Sequence, residues 1–169
     1  MTSRTNSTLR VLNFVWLVIV LGLVGNLIDT QNHVNPQVNF CIFAAVFGLL
    51  FGVFYGVLAQ FFSALAFPIL LTSFDFLNVV FTFAGATSLA VAIRTHSCSN
   101  MDYVNSNAVT QGSSMRCREA QAATAFLYFS FFTFLASLIL SAVAITRNGL
   151  SLPSRRSAPR GGVPTMSQV

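Results

Sequence analysis

Phe43 to Gly56 reads FAAVFGLLFGVFYG, fourteen residues without a single charge. The stretch sits inside a longer apolar run, Val38 to Phe62. A run of that length, wound as a helix, crosses a hydrocarbon core of about 30 Å. The residues are solidly apolar rather than alternating, so the run reads as a membrane helix and not as a barrel strand. Ala44, Gly48, Gly52 and Gly56 recur every fourth residue and share one stripe of that helix. In lipid, helices gain from close backbone approach, which small-residue stripes permit. The stripe therefore marks either a self-association face between copies or packing against the first or third helix of the same chain.

Three further runs flank it: Val11 to Ile28, Leu65 to Ile93 and Ala120 to Thr146. The composition agrees with four spans. Of 169 residues, 54% are hydrophobic and only 8% charged, against about 25% charged in ordinary globular domains. So few charges cannot cover a soluble surface of this size. The fold class expected is all-α: a four-helix transmembrane bundle over residues 11–146, after a cytosolic N-terminus (1–10) and before a disordered cytosolic tail (147–169). The first run is long and has no small-residue cleavage site, so it reads as a retained anchor. No nucleotide-binding signature or nucleic-acid motif is present. The two histidines, His33 and His96, fall in exposed links and form no constellation with intramembrane Asp or Ser. Neither an enzyme nor a cofactor is expected.

All nine positive residues are arginines. Arg4, Arg10, Arg147, Arg155, Arg156 and Arg160 lie at the terminal side, and Arg94, Arg116 and Arg118 in the third link. The positive-inside rule then puts both termini in the cytosol. Cys98 and Cys117 fall in that third link, outside the cytosol, where disulfides persist. A bridge between them removes roughly 3 kcal/mol of unfolded-state entropy; the other reading is two free thiols in a cytosolic loop. No paired CxxC spacing supports zinc. Cys41 reads as buried and inert. The sequon Asn6-Ser7-Thr8 lies on the cytosolic side and carries no glycan on this topology.

The third run contains SFDFLNVVFTF, Ser73 to Phe83. Thr72, Asp75, Asn78, Thr82 and Gly85 follow helical spacing and form a polar seam. A charged Asp inside a span costs at least about 2.5–3.5 kcal/mol, so Asp75 must face the bundle, be protonated or find a partner. No positive residue lies inside any of the four runs, so a buried ion pair is not expected unless Arg10, near the cytosolic end, reaches it; the expected partners are hydroxyls and amides, Asn78, Thr72, Gln60 and Asn13. Asp75 and Asn78 read as interhelical hydrogen-bond glue. The alternative is a small proton- or ion-coupled transporter or channel centred on Asp75. On the fourth helix Ser130, Ser137 and Ser141 are expected to face the bundle. The interleaved Phe126, Phe129, Phe131, Phe132 and Phe134 are expected toward lipid or gaps.

Beyond Arg147 the composition turns to Pro, Gly, Ser and Arg, which favours disorder. Arg147, Arg155, Arg156 and Arg160 suit anionic lipid at about 1 kcal/mol each. Phosphorylation of Ser151, Ser154 or Ser157 would weaken that attraction. Ser167-Gln168-Val169 has the hydroxyl-x-apolar ending that PDZ-type domains take up by strand addition.

Several segments together resemble the fungal non-classical export protein family, four-helix membrane proteins of the MARVEL type. They include Asn39-Phe40-Cys41-Ile42-Phe43-Ala44, Asp75-Phe76-Leu77-Asn78, Ile93-Arg94-Thr95-His96-Ser97-Cys98, Thr110-Gln111-Gly112, Arg116-Cys117-Arg118 and Gly162 to Val169. The resemblance spans nearly the whole chain and is weakest at the first residues and around Leu150 to Arg160. It implies a plasma-membrane protein of furrow-like, eisosome-associated microdomains that responds to sphingolipid levels, with a link to export of leaderless proteins. The partners it implies are membrane lipids and cytosolic eisosome coat proteins. Lateral association through small-residue faces, as a homo-oligomer, is a further expectation.

Overall fold

The computed structural model describes residues 2–62, 65, 67–94 and 96–148. Four long helices dominate: α1 (Thr2–Asp29), α2 (Pro36–Phe61), α3 (Pro68–Ile93) and α5 (Ser114–Asn148), with a short α4 (Met101–Ser106) in the link before the last. Each long helix is long and apolar enough to cross a membrane. Short links make successive spans antiparallel. α1 packs on α2 and α5, and α3 packs on α2 and α5, which closes the bundle into a ring of four.

Local chemistry sets where the helices start and stop. Asn35 caps α2, its Oδ1 accepting from the N–H groups of Gln37 (3.0 Å) and Val38 (3.3 Å), and Pro36 occupies the first turn, where a missing N–H is harmless. Pro68 opens α3 in the same way. Arg94 ends α3 in the left-handed region (φ 48°). Asn100 caps α4. α1 is helical from Thr2, well before the apolar run begins at Val11, so Arg10 belongs to the helix and not to a flanking segment. α5 likewise starts at Ser114, before the apolar run.

A uniform α-helix is what the apolar pattern of α2 suggests. Instead its middle, Gly48–Phe54, is a π-helix, with the Tyr55 N–H reaching back to the Leu50 carbonyl. Such wide turns are rare and costly unless neighbours hold them. Here neighbours fill the glycine stripe from within the chain. A Cβ on Gly48 would meet Leu17 of α1 at 2.7 Å, and one on Gly52 would meet the Phe134 ring of α5 at 2.5 Å and the Asn78 amide of α3 at 2.8 Å. One on Gly56 would run into the Arg10 guanidinium. Ala44 is fully buried, and a Cβ on Gly85 of α3 would touch its methyl at 3.7 Å. The stripe is thus an internal packing surface. Of the two readings of the stripe, packing against neighbouring helices of the same chain is the one these contacts match.

The core runs through Leu17, Val20, Val24 and Leu27 of α1, Cys41 and Ala45 of α2, Leu89 of α3 and Leu127 of α5. Cys41 donates a weak S–H bond to the Gly85 carbonyl at 3.4 Å. Outside the core, the seam between α2 and α3 is closed by edge-on and tilted ring pairs. Phe47 meets Phe81 at 5.0 Å, and Phe51 meets Phe74 at 5.0 Å. Phe129 and Phe132 face outward, whereas Phe134 turns inward to fill the space over Gly52.

Candidate functional site

Two sets of polar side chains are candidates for function, one inside the bundle and one across its disulfide-linked end. The side chains of the inner set come from three of the long helices, and the fourth, α2, adds a backbone carbonyl. Asp75 and Asn78 of α3, Arg10 and Asn13 of α1, and Ser130 and Ser137 of α5 are all buried. Arg10 Nη2 lies 3.9 Å from Asp75 Oδ2, with the two side chains 3% and 1% exposed. Its Nη1 donates to the Gly52 carbonyl, within the π-turn of α2. One guanidinium therefore ties α1 to both α2 and α3. The absence of a side chain at Gly56 makes room for it.

Arginine inside the span is a correction to the topology count: Arg10 neutralises Asp75 and is no longer a free terminal charge. The proposed partners Asn78, Thr72, Gln60 and Asn13 serve elsewhere. Asn78 Nδ2 donates to Phe74 O (2.9 Å), Thr82 to Asn78 O (2.6 Å) and Thr72 to Pro68 O (2.9 Å), each within α3. Gln60 accepts from Ser7 at 2.9 Å, and Asn13 accepts from Thr133. The polar seam of α3 thus closes on its own backbone, which is how a helix hides hydroxyls and amides. The bonds between helices in this set run from Arg10 to Gly52, from Thr133 to Asn13 and from Ser7 to Gln60.

Not every polar atom is satisfied. Both oxygens of Asp75, Nε of Arg10, Oδ1 of Asn78, Nδ2 of Asn13 and the hydroxyls of Ser130 and Ser137 have no hydrogen-bond partner among the described residues. The inner site is held by charge and packing more than by hydrogen bonds.

At the opposite end the sulfurs of Cys98 and Cys117 are bonded, with their Cα atoms 5.6 Å apart. The bridge anchors the link before α5 to the start of that helix. Arg116, buried beside it, gathers three segments. Its Nε and Nη2 donate to Val109 O (3.2 and 3.1 Å), and its Nη1 donates to Leu27 O (2.8 Å) and to Thr30 Oγ1 (2.5 Å). Leu27 lies in the last turn of α1, where carbonyls lack helical donors. Gln111 joins the two links: Nε2 donates to His33 O (2.9 Å), and Oε1 accepts from the Asn32 N–H (2.7 Å). Its φ of 47° and that of Gly112 at 84° make the turn that aims it. Asn107 caps α3 through Ala92 O (2.8 Å), Tyr103 donates to Ile93 O, and Gln121 to His96 O (3.1 Å). Among the described residues no group of three or more His, Cys, Asp or Glu gathers in a way that suits a metal ion.

Of the basic and C-terminal tail residues singled out from the sequence, Arg147 is exposed at the end of α5. Arg155, Arg156, Arg160, Ser167 and Val169 lie outside the described residues. Arg116, Gln111 and Asn107 were not singled out for their contacts.

The comparisons with known proteins agree with this architecture. Residues 3–140 match the MARVEL family, described as a membrane-associating domain. The chain is 48% identical over 173 residues to Non-classical export protein 2 of Saccharomyces cerevisiae, covering all of both chains. It is 60% identical over 162 residues to Non-classical export protein 102 of Candida albicans, covering 95% of each. With the Schizosaccharomyces pombe Non-classical export protein 2 homolog it shares 35% over 132 residues, 77% of this chain and 72% of that one. No solved structure matches. An all-helical bundle with four membrane-length spans, a family match over residues 3–140 and relatives up to 60% identical over nearly the whole chain place it in the MARVEL family, among the fungal non-classical export proteins.

Proposed function

We propose that this protein organises plasma-membrane microdomains of the furrow-like, eisosome-associated kind, that it responds to sphingolipid levels, and that it contributes in this way to non-classical export. The observation that carries the reading is the end-to-end match to relatives named for non-classical export. The bundle's physics supports it. Arg10 and Asp75 inside the span are paired, and apolar rings such as Phe129 and Phe132 face outward. A protein built this way acts through its surface and termini. Both termini are assigned to the cytosol, where the tail meets coat proteins or anionic lipid, and the disulfide-linked end faces outward.

The test is localisation in a yeast lacking its own non-classical export relatives. A fluorescent fusion of the full chain is expected in discrete furrow-associated patches and to restore their number. An even distribution over the membrane would overturn the microdomain reading. Deleting Gly161 to Val169 is expected to leave insertion intact and to disperse the patches. Unchanged patches would remove the tail from the mechanism.

A second reading draws on the unbonded oxygens of Asp75: a proton- or ion-coupled transporter. The Arg10 guanidinium at 3.9 Å weighs against it, because a fixed cation repels a transported one. Ion and proton flux in liposomes, compared between wild type and Asp75→Asn, separates the two. Flux that this nearly isosteric change abolishes would favour transport.

A further inference from the structure

A cavity of about 490 Å³ lies at the disulfide-linked end, apart from the inner polar site. Its walls are Gln37 at the start of α2, Val91 and Arg94 at the end of α3, and His96, Tyr103 and Asn107 of the long link. Its size suits a small polar group with a few convergent contacts. Val91, on the rim, is 69% exposed. On the membrane-spanning reading, an outward apolar side chain in the last turn of a span sits at the hydrocarbon boundary. The cavity therefore opens at headgroup level.

The backbone acceptors at the end of α3 and the Asn107 side-chain carbonyl are already engaged. The carbonyl of Ala92 takes the Asn107 amide at 2.8 Å, that of Ile93 takes the Tyr103 hydroxyl, and that of Val91 takes the Arg94 N–H at 3.3 Å. Asn107 Oδ1 accepts from the backbone N–H groups of Val109 (2.8 Å) and Thr110 (3.3 Å). No carboxylate lines the cavity. Burial pushes the Tyr103 phenol above its ordinary range, with nearby Arg94 opposing, so no phenolate forms there at neutral pH. What the walls present is a guanidinium, an imidazole and a carboxamide. The guanidinium repels a cation and offers an oxyanion charge-assisted hydrogen bonds that a neutral guest does not gain.

We propose that this cavity binds the phosphate group of a membrane-lipid headgroup, with Arg94 supplying the charge and His96 and Gln37 flanking donors. The proposal rests on the four-span membrane reading, not on the microdomain role. Its failure would leave the proposed function standing.

The test uses the full-length protein in detergent micelles, titrated by native mass spectrometry with dioleoylphosphatidylglycerol. Dioleoylglycerol, with the same chains and no phosphate, is the neutral comparator. One phosphatidylglycerol is expected to bind above the background of non-specific adducts, and dioleoylglycerol is not. Arg94→Gln is expected to weaken that binding about tenfold. Arg118→Gln removes an exposed arginine outside the cavity at the same end and is expected to leave affinity within about twofold. An intact disulfide on a non-reducing gel verifies that each variant is folded, and His96→Gln is an independent second variant with a smaller loss in the same direction. Equal losses in Arg94→Gln and Arg118→Gln, or dioleoylglycerol binding as tightly as phosphatidylglycerol, would overturn the site. Displacement of the lipid by excess inorganic phosphate would overturn the headgroup assignment and make free phosphate the ligand.

Discussion

The two ends of this bundle solve the same problem by opposite means. At the disulfide-linked end, helix termini and links are exposed, so their backbone groups need partners. Arg116, Gln111, Asn107 and the Cys98–Cys117 bridge supply them one by one. Toward the terminal end, polar side chains lie within the span, and the chain neutralises a single charge with a single charge, Arg10 with Asp75. It then leaves several neighbouring polar atoms without hydrogen bonds. The first region is stabilised by many modest bonds, so no single loss should be decisive. The second relies on one pair, so breaking it should be severe.

The inner pair gives the sharpest way to break that contrast. Asp75→Ala leaves Arg10 charged, buried and unpaired, and removing one member of a buried pair typically costs about 3–5 kcal/mol. The double variant Arg10→Met/Asp75→Leu removes both charges and is expected to recover most of that loss. Reversible unfolding by SDS titration measures both. A double variant as unstable as Asp75→Ala would mean that the guanidinium matters through its bond to Gly52 and not through charge.

The outer end answers to covalent chemistry. Cys98→Ser/Cys117→Ser opens a sequence separation of 19 residues and is expected to cost about 3 kcal/mol. The remaining bonds of Arg116 and Gln111 should keep the link folded. Hydrogen exchange checks this: protection at Val109 and Thr110 is expected to fall but persist in the double serine variant. Complete loss would show that the bridge, rather than the network, orders this end.

How much of this was legible in the sequence follows from the same contrast. Four spans were readable because hydrophobic length has no other solution in a chain with 8% charge. The bridge was readable because two cysteines shared one link. Asp75 stood out, and Arg10 was its only reachable cation, yet the apolar run began one residue after Arg10 and made it look like a flank. Helix α1 begins earlier because nothing between Thr2 and Arg10 stops a helix, a boundary that hydropathy does not record. The glycine stripe was visible, but small residues do not say who fills them. Leu17, Asn78, Phe134 and Arg10 come from three other helices, and that convergence is tertiary information. The π-turn at Gly48–Phe54 has no sequence signature beyond glycine content. It became interpretable only once Arg10 was seen on the Gly52 carbonyl.

The glycines offer a milder test of the inner region. Gly52→Ala places a methyl against the Phe134 ring and the Asn78 amide, an overpacking expected to cost about 1–3 kcal/mol. Gly22 and Gly25 of α1 have nothing within 4 Å of an added Cβ. Gly22→Ala should therefore be neutral or stabilising by up to about 1 kcal/mol, as helix propensity alone predicts. SDS titration of the two single variants separates them. Equal destabilisation would mean that the Gly22 side is also covered, and by something other than this chain.

The smallest expected effect belongs to the outer end and probes its redundancy. Asn35→Ala removes the oxygen that accepts from the Gln37 and Val38 N–H groups. Loss of a helix N-cap costs about 1 kcal/mol on average. Pro36 remains in the first turn and still fixes the backbone there, and Gln111 continues to hold the adjacent link through His33 and Asn32. The fraying should thus stay local, confined to the first turn of α2 and visible as faster hydrogen exchange at Gln37 and Val38. If exchange also rises at Leu27 or Val109, the links at this end act as one cooperative unit rather than as many independent bonds. The difference between the two ends would then lie in the kind of interaction and not in how the load is shared.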